Sequence, residues 1–164
     1  MKNRYLLVAM CVLALVLMSC ASALPATESP TEASVTEVLV TEEAIVQATV
    51  NPSFGTVLRD GKRMSLYIFL KDTQNGGASS CTGECAEKWP PLLTQAAPVA
   101  GEGVDVTLLG TITRDDGSLQ VTYNGWPLYL YKTDVMPGDY YGQGLDDFGG
   151  RWFLVSPAGE AIQQ

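Results

Sequence analysis

The chain has 164 residues, 46% of them apolar, with 10 Lys+Arg against 18 Asp+Glu, a formal net charge of −8 and no histidine. So acidic a chain lacks the basic surface that a nucleic-acid partner requires. The absence of histidine excludes Ser-His-Asp and Cys-His catalysis, His-ligated zinc or haem iron, and imidazole proton shuttling.

Lys2 and Arg4 precede an apolar run from Tyr5 to Met18, which ends in Leu17-Met18-Ser19-Cys20. A basic start, an apolar stretch and a small-residue cleavage zone predict an export signal over residues 1–19. The run falls short of the ~20 residues that span a bilayer comfortably. Leu17 and Ser19 ahead of Cys20 are similar to a bacterial lipobox, which would make Cys20 an acylated mature N-terminus. Ala21-Ser22-Ala23 is a competing site, where cleavage would release a soluble protein. Two or three acyl chains suffice for stable anchoring. Loss of Lys2 and Arg4 with the signal makes the mature chain more acidic still, so the lipid, not charge, would hold it to an anionic surface.

Residues 20–43 read as a flexible acidic tether. Thr-Glu recurs at Thr27-Glu28, Thr31-Glu32, Thr36-Glu37 and Thr41-Glu42, and no Lys or Arg occurs between Arg4 and Arg59. Such a segment buries too little apolar area to offset its ordering entropy. About 25 flexible residues span roughly 25–30 Å. All 16 glycines lie at Gly55 or later, which marks a boundary in front of a folded domain over residues 44–164.

In that domain the signals are strands and tight turns. Ile45 to Val50 is β-prone and stops at Asn51-Pro52. Asp60-Gly61, Asp116-Gly117 and Asn124-Gly125 are hairpin punctuation between Thr56–Arg59 and Met64–Leu70, Gly110–Thr113 and Leu119–Tyr123, and the latter strand and Pro127–Tyr131. Trp152–Val155 is a last strand, and Cys85–Lys88 a short helix. The fold class is therefore all-β, mainly antiparallel, sandwich or barrel-like, with at most one short helix.

Leu66-Tyr67-Ile68-Phe69-Leu70-Lys71-Asp72 recurs as Leu128-Tyr129-Leu130-Tyr131-Lys132-Thr133-Asp134, and Trp89 and Trp152 follow the two copies at similar spacing, so the domain consists of two related halves. In each copy the aromatics share one strand face and the aliphatics take the other, as a central strand covered on two sides requires. Asp72 and Asp134 fall at the strand ends, where a carboxylate caps turn amides. Two roles stay open for the aromatics: core, or a ligand platform that Tyr123, Tyr140 and Tyr141 would extend.

The domain resembles the bacterial secreted-repeat lipoproteins, whose motif Y-x-[FWY]-x-x-D is matched by Tyr67, Phe69 and Asp72 and again by Tyr129, Tyr131 and Asp134. Cys81-Thr82-Gly83-Glu84-Cys85 ahead of Trp89-Pro90-Pro91 also fits. The resemblance implies a lipid-anchored export product and no particular activity, so it transfers no catalytic residue.

Cys11 leaves with the signal and Cys20 belongs to the lipobox, leaving Cys81 and Cys85. A disulfide is the default for such a pair in an exported protein, with thiol redox chemistry and metal capture as alternatives. Asp115, Asp116, Asp139, Asp146 and Asp147 are oxygen donors without EF-hand spacing. The acidic, Gly-rich stretch 137–150 reads as a mobile surface loop and the first place to look for a ligand. The expectation is a non-enzymatic, exported and membrane-anchored binding module, on the outer face of the cytoplasmic membrane or in the periplasm or outer membrane. No metal or other cofactor is expected, nor any nucleic acid. An envelope or membrane-complex protein is the expected partner class. The alternatives are an accessory subunit of a membrane complex, one of electron transfer included, and a thiol-redox protein using Cys81 and Cys85.

Overall fold

The computed structural model describes residues 43–163. Cys20, the export signal and all but the last residue of the tether lie outside them. Strand β1 (Ile45–Asn51) turns through Pro52–Phe54 into β2 (Gly55–Asp60), antiparallel from Val46↔Asp60 to Asn51↔Gly55. Asn51 closes the turn, its Oδ1 accepting from the amides of Ser53 and Phe54. β3 is short (Tyr67–Phe69), and α1, the one α-helix among the described residues, spans Glu84–Lys88. β4 (Leu93–Thr94) and β5 (Val99–Ala100) are two-residue strands; β5 lies parallel to β1, the exception to an otherwise antiparallel set of ladders.

A 3-10 turn over Val106–Leu108 leads into β6 (Leu109–Thr113), which pairs with β7 (Leu119–Tyr123), and β7 pairs in turn with β8 (Trp126–Pro127). Asn124 and Gly125 both have positive φ, 48° and 75°. That is the backbone a two-residue hairpin of the right twist requires, and Asn-Gly is the pair that tolerates it. β9 (Asp146–Asp147) and β10 (Gly150–Leu154) form the last hairpin, and β10 also pairs with β3.

The alternation read from the repeat decides the interior. Tyr67, Phe69 and Tyr129 enter one buried cluster with Trp89, Trp152, Cys81 and Cys85. Leu66, Ile68 and Leu128 enter another with Val46, Leu58, Val121 and Tyr123. β3 is buried along its whole length, with β10 on one side and Tyr129 on the other. The fold is thus β-rich, mainly antiparallel and doubled.

Candidate functional site

The two repeat motifs meet at a single backbone bridge. The Tyr67 amide donates to the Tyr129 carbonyl and the Tyr129 amide to the Tyr67 carbonyl, each at 2.9 Å. From this crossing the side chains reach into the opposite repeat. The Tyr67 hydroxyl donates to Asp134 Oδ2 at 2.6 Å, and the Tyr129 hydroxyl donates to Asp72 Oδ2 at 2.6 Å. Each motif's aspartate therefore serves the other motif's tyrosine.

The remaining carboxylate oxygens do the capping expected at the strand ends. Asp72 Oδ1 accepts from the Ser80 amide and hydroxyl, at 2.7 and 2.6 Å, and Asp134 Oδ1 from the Tyr141 amide at 2.8 Å. Burial, and then the hydrogen bond to Asp134, drives the Tyr67 phenol far above its ordinary range; burial and the charge of Asp72 do the same to Tyr129. Burial also pushes the Asp134 carboxyl up, against the hydrogen bonds from Tyr67 and the Tyr141 amide.

The second aromatics build a stack across the same pseudo-symmetry. Phe69 lies on Trp152 at 4.0 Å, Trp152 on Trp89 at 3.9 Å, and Trp89 on Tyr131 at 4.3 Å between ring centres. Phe69 of the first repeat thus covers the tryptophan of the second, and Tyr131 covers that of the first. Tyr67 and Tyr129 meet the stack edge-on, against Trp89 and Trp152 respectively, an arrangement that matches ring edge to ring face.

Asp147 ties down the two indoles. Its Oδ2 accepts from Trp89 Nε1 at 3.2 Å and pairs with Lys88 Nζ at 2.7 Å, while its carbonyl accepts from Trp152 Nε1 at 3.2 Å. Partial burial works against the charged carboxylate, but the Lys88 and Trp89 hydrogen bonds outweigh it and hold the carboxyl below its ordinary value. A carboxyl lowered on folding stabilises the fold above its unfolded pKa, and that contribution fades as pH falls through the folded value. Asp147→Asn is therefore expected to lower the melting temperature at pH 7 and to have less effect at a strongly acidic pH below the folded carboxyl's own value, where the wild-type group is itself protonated. Paired melts at the two pH values check this; an equal shift at both would place the effect outside the carboxylate's charge.

Cys81 and Cys85 are joined in a disulfide that closes the loop ahead of α1, with Cys81 fully buried and Cys85 6% exposed. Little of either residue reaches solvent, and thiol exchange depends on such access. So small a ring is expected to stabilise by roughly 2 kcal/mol. Intact mass of the mature, acylated protein before and after alkylation, without reductant, should show no added alkyl group; two additions in protein taken from its native envelope would overturn the pairing.

The stretch 137–150 departs from the loose loop that its composition predicts. Gln143 accepts from the Leu154 amide and donates to the Ile162 carbonyl, and the Trp152 amide donates to the Leu145 carbonyl. Gly142 is pressed against the stack: a Cβ there would stand 2.8 Å from Trp89 and 3.0 Å from Tyr67. The segment packs over the aromatics because it carries a glycine where only backbone fits.

The other acidic candidates stay apart. Among the described residues no three His, Cys, Asp or Glu side chains come together as a metal site. Asp116 closes its own turn onto Ser118, and Asp139 caps the amides of Val135 and Met136. A cleft of about 870 Å³ borders the second cluster, lined by Ile45, Leu92, Leu93, Leu119 and Leu130, with Lys62 among its polar residues.

Of the residues singled out in the sequence, the structure brings Tyr67, Phe69, Asp72, Tyr129, Tyr131 and Asp134 into one region with Cys81 and Cys85. Tyr123 is buried in the other cluster, and Tyr140 and Tyr141 are exposed, so the tyrosines do not form one platform. Asp147, Gln143 and Gly142 were not singled out for these roles. Their roles depend on contacts with Trp89, Trp152 and the chain's C-terminal end, for which a single sequence offers no periodic signal.

A family model described as a secreted repeat of unknown function matches twice, over residues 48–93 and 110–156. The chain belongs to this family. No curated protein and no solved structure matches it. The two matches coincide with the halves that exchange tyrosines and aspartates, one match holding Tyr67, Asp72 and Trp89 and the other Tyr129, Asp134 and Trp152. The pseudo-symmetry of the buried network is thus that of the secreted repeat. Among the described residues no helix is long and apolar enough to cross a membrane.

Proposed function

We propose that this secreted-repeat protein is a lipid-anchored envelope protein whose domain binds a partner and catalyses nothing. One observation carries the non-catalytic part: the repeat's chemistry-bearing side chains are spent on the architecture. Both phenols and both aspartates are buried and bonded to one another, and both domain cysteines are consumed in the disulfide. A general base or nucleophile needs a free, positioned group facing a substrate, and these groups face each other. The anchoring part is supported by Lys2, Arg4 and the apolar run ahead of Leu17-Met18-Ser19-Cys20, together with the secreted character of the family.

Cys20→Ser separates anchoring from export. The variant is expected to leave the membrane fraction and appear soluble, still exported, while wild type sediments with membranes. An exported Cys20→Ser protein that stays membrane-bound would refute acylation as the anchor.

A further inference from the structure

We infer that the loop from Val135 to Tyr141 is a membrane-contacting edge of the domain, seated in the interfacial layer of the bilayer; this rests on the anchoring proposed above. The domain carries its own control for the loop. After each motif aspartate the chain makes an excursion whose far end returns to that same carboxylate, at Ser80 in the first repeat and Tyr141 in the second. The first excursion, Thr73-Gln74-Asn75-Gly76-Gly77-Ala78-Ser79, is polar or small throughout; the second, Val135-Met136-Pro137-Gly138-Asp139-Tyr140, carries Val135, Met136 and Tyr140 beside its one carboxylate, Asp139. The shared backbone closure is met without apolar side chains in one copy, so it does not require them in the other.

Those side chains are displayed, not tucked in. Val135 is 76% exposed, Met136 64% and Tyr141 64%. The backbone beneath them is fixed: Asp139 Oδ2 accepts from the Val135 and Met136 amides, and the Ser65 hydroxyl donates to the Asp139 carbonyl. Tyr140 is braced edge-on against Phe54 at 5.2 Å. A loop held this way cannot turn its apolar groups inward.

An aliphatic tip, two amphipathic rings beside it and the exposed Lys132 match what the interfacial layer accepts. The loop's one carboxylate, Asp139, accepts from two of the loop's own amides through Oδ2, so it does not enter the layer bare. Four side chains offer far less than the ~800 Å² per partner that a stable dimer buries, which argues against a second copy as the occupant.

The test uses the full acylated chain in vesicles, with Met136→Cys carrying an environment-sensitive fluorophore and Ala78→Cys, in the polar excursion, as the control. On phosphatidylcholine vesicles the label at 136 is expected to shift to the blue and to be quenched by a quencher fixed in the lipid, while the label at 78 stays water-like. On vesicles that also contain phosphatidylglycerol the shift should grow with added salt, because screening relieves the repulsion of the acidic domain. Protein that floats with the vesicles but leaves the 136 label in water would overturn the loop's role and keep the anchor; that is also the result if the loop serves a protein partner. Protein that does not float would overturn both.

Discussion

Tyr67→Ala is expected to remove most of the domain's stability. Loss of a fully buried ring costs about 3–5 kcal/mol, and the Asp134 carboxylate loses its 2.6 Å donor as well. Small domains hold only about 5–15 kcal/mol in total. Tyr67→Phe keeps the ring and should cost about 1–3 kcal/mol, the penalty of leaving a buried polar group unpaired. Tyr129→Ala and Tyr129→Phe should behave alike, through Asp72.

The sharper result lies in the pairing. In double-mutant cycles read by urea unfolding, Tyr67→Phe should couple to Asp134→Asn by about 0.5–3 kcal/mol, as bonded neighbours do. Tyr67→Phe and Asp72→Asn alter residues of one motif that share no hydrogen bond, so their effects should add to within about 0.3–0.5 kcal/mol. Stronger coupling inside a motif than between motifs would show that the exchange is not what holds the halves together.

The second large effect is expected at Trp152. Its indole lies between Phe69 and Trp89, with Tyr129 against its edge, and its N–H reaches the Asp147 carbonyl. Trp152→Ala should cost about 3–5 kcal/mol by cavity and transfer terms. Each aromatic pair lost adds about 0.5–1.5 kcal/mol beyond area burial. With several degrees per kcal/mol for a domain of this size, the melting temperature should fall by more than ~10 °C. Trp152→Phe retains part of the stack and should fall between the two.

Because the stack runs through both repeats, the near-UV and far-UV circular dichroism signals of the wild-type protein should be lost together in one transition. Early loss of the near-UV signal with the secondary structure intact would mean that the stack decorates two halves that fold independently.

The sequence determined the local structure because its signals are local. A period of two in Leu66–Phe69 and Leu128–Tyr131 decides which side chains share a face, and the two buried clusters divide along that alternation. Asn124-Gly125 demands a two-residue turn, because few other pairs take positive φ at both positions. Duplication of the heptad announced two halves, and two cysteines four apart in an exported chain announced their disulfide.

What the tertiary structure alone decided is where each polar tip goes. An aspartate five residues after a tyrosine invites a partner within its own motif, yet the bridge between Tyr67 and Tyr129 sets the two strands side by side in opposite directions. Each phenol then arrives at the far repeat's aspartate. The same crossing brings Phe69 onto Trp152 and Tyr131 onto Trp89, and it leaves room beside Trp89 for nothing larger than Gly142. Pairing between halves depends on strand direction and register across more than fifty residues of chain, and no local propensity encodes that.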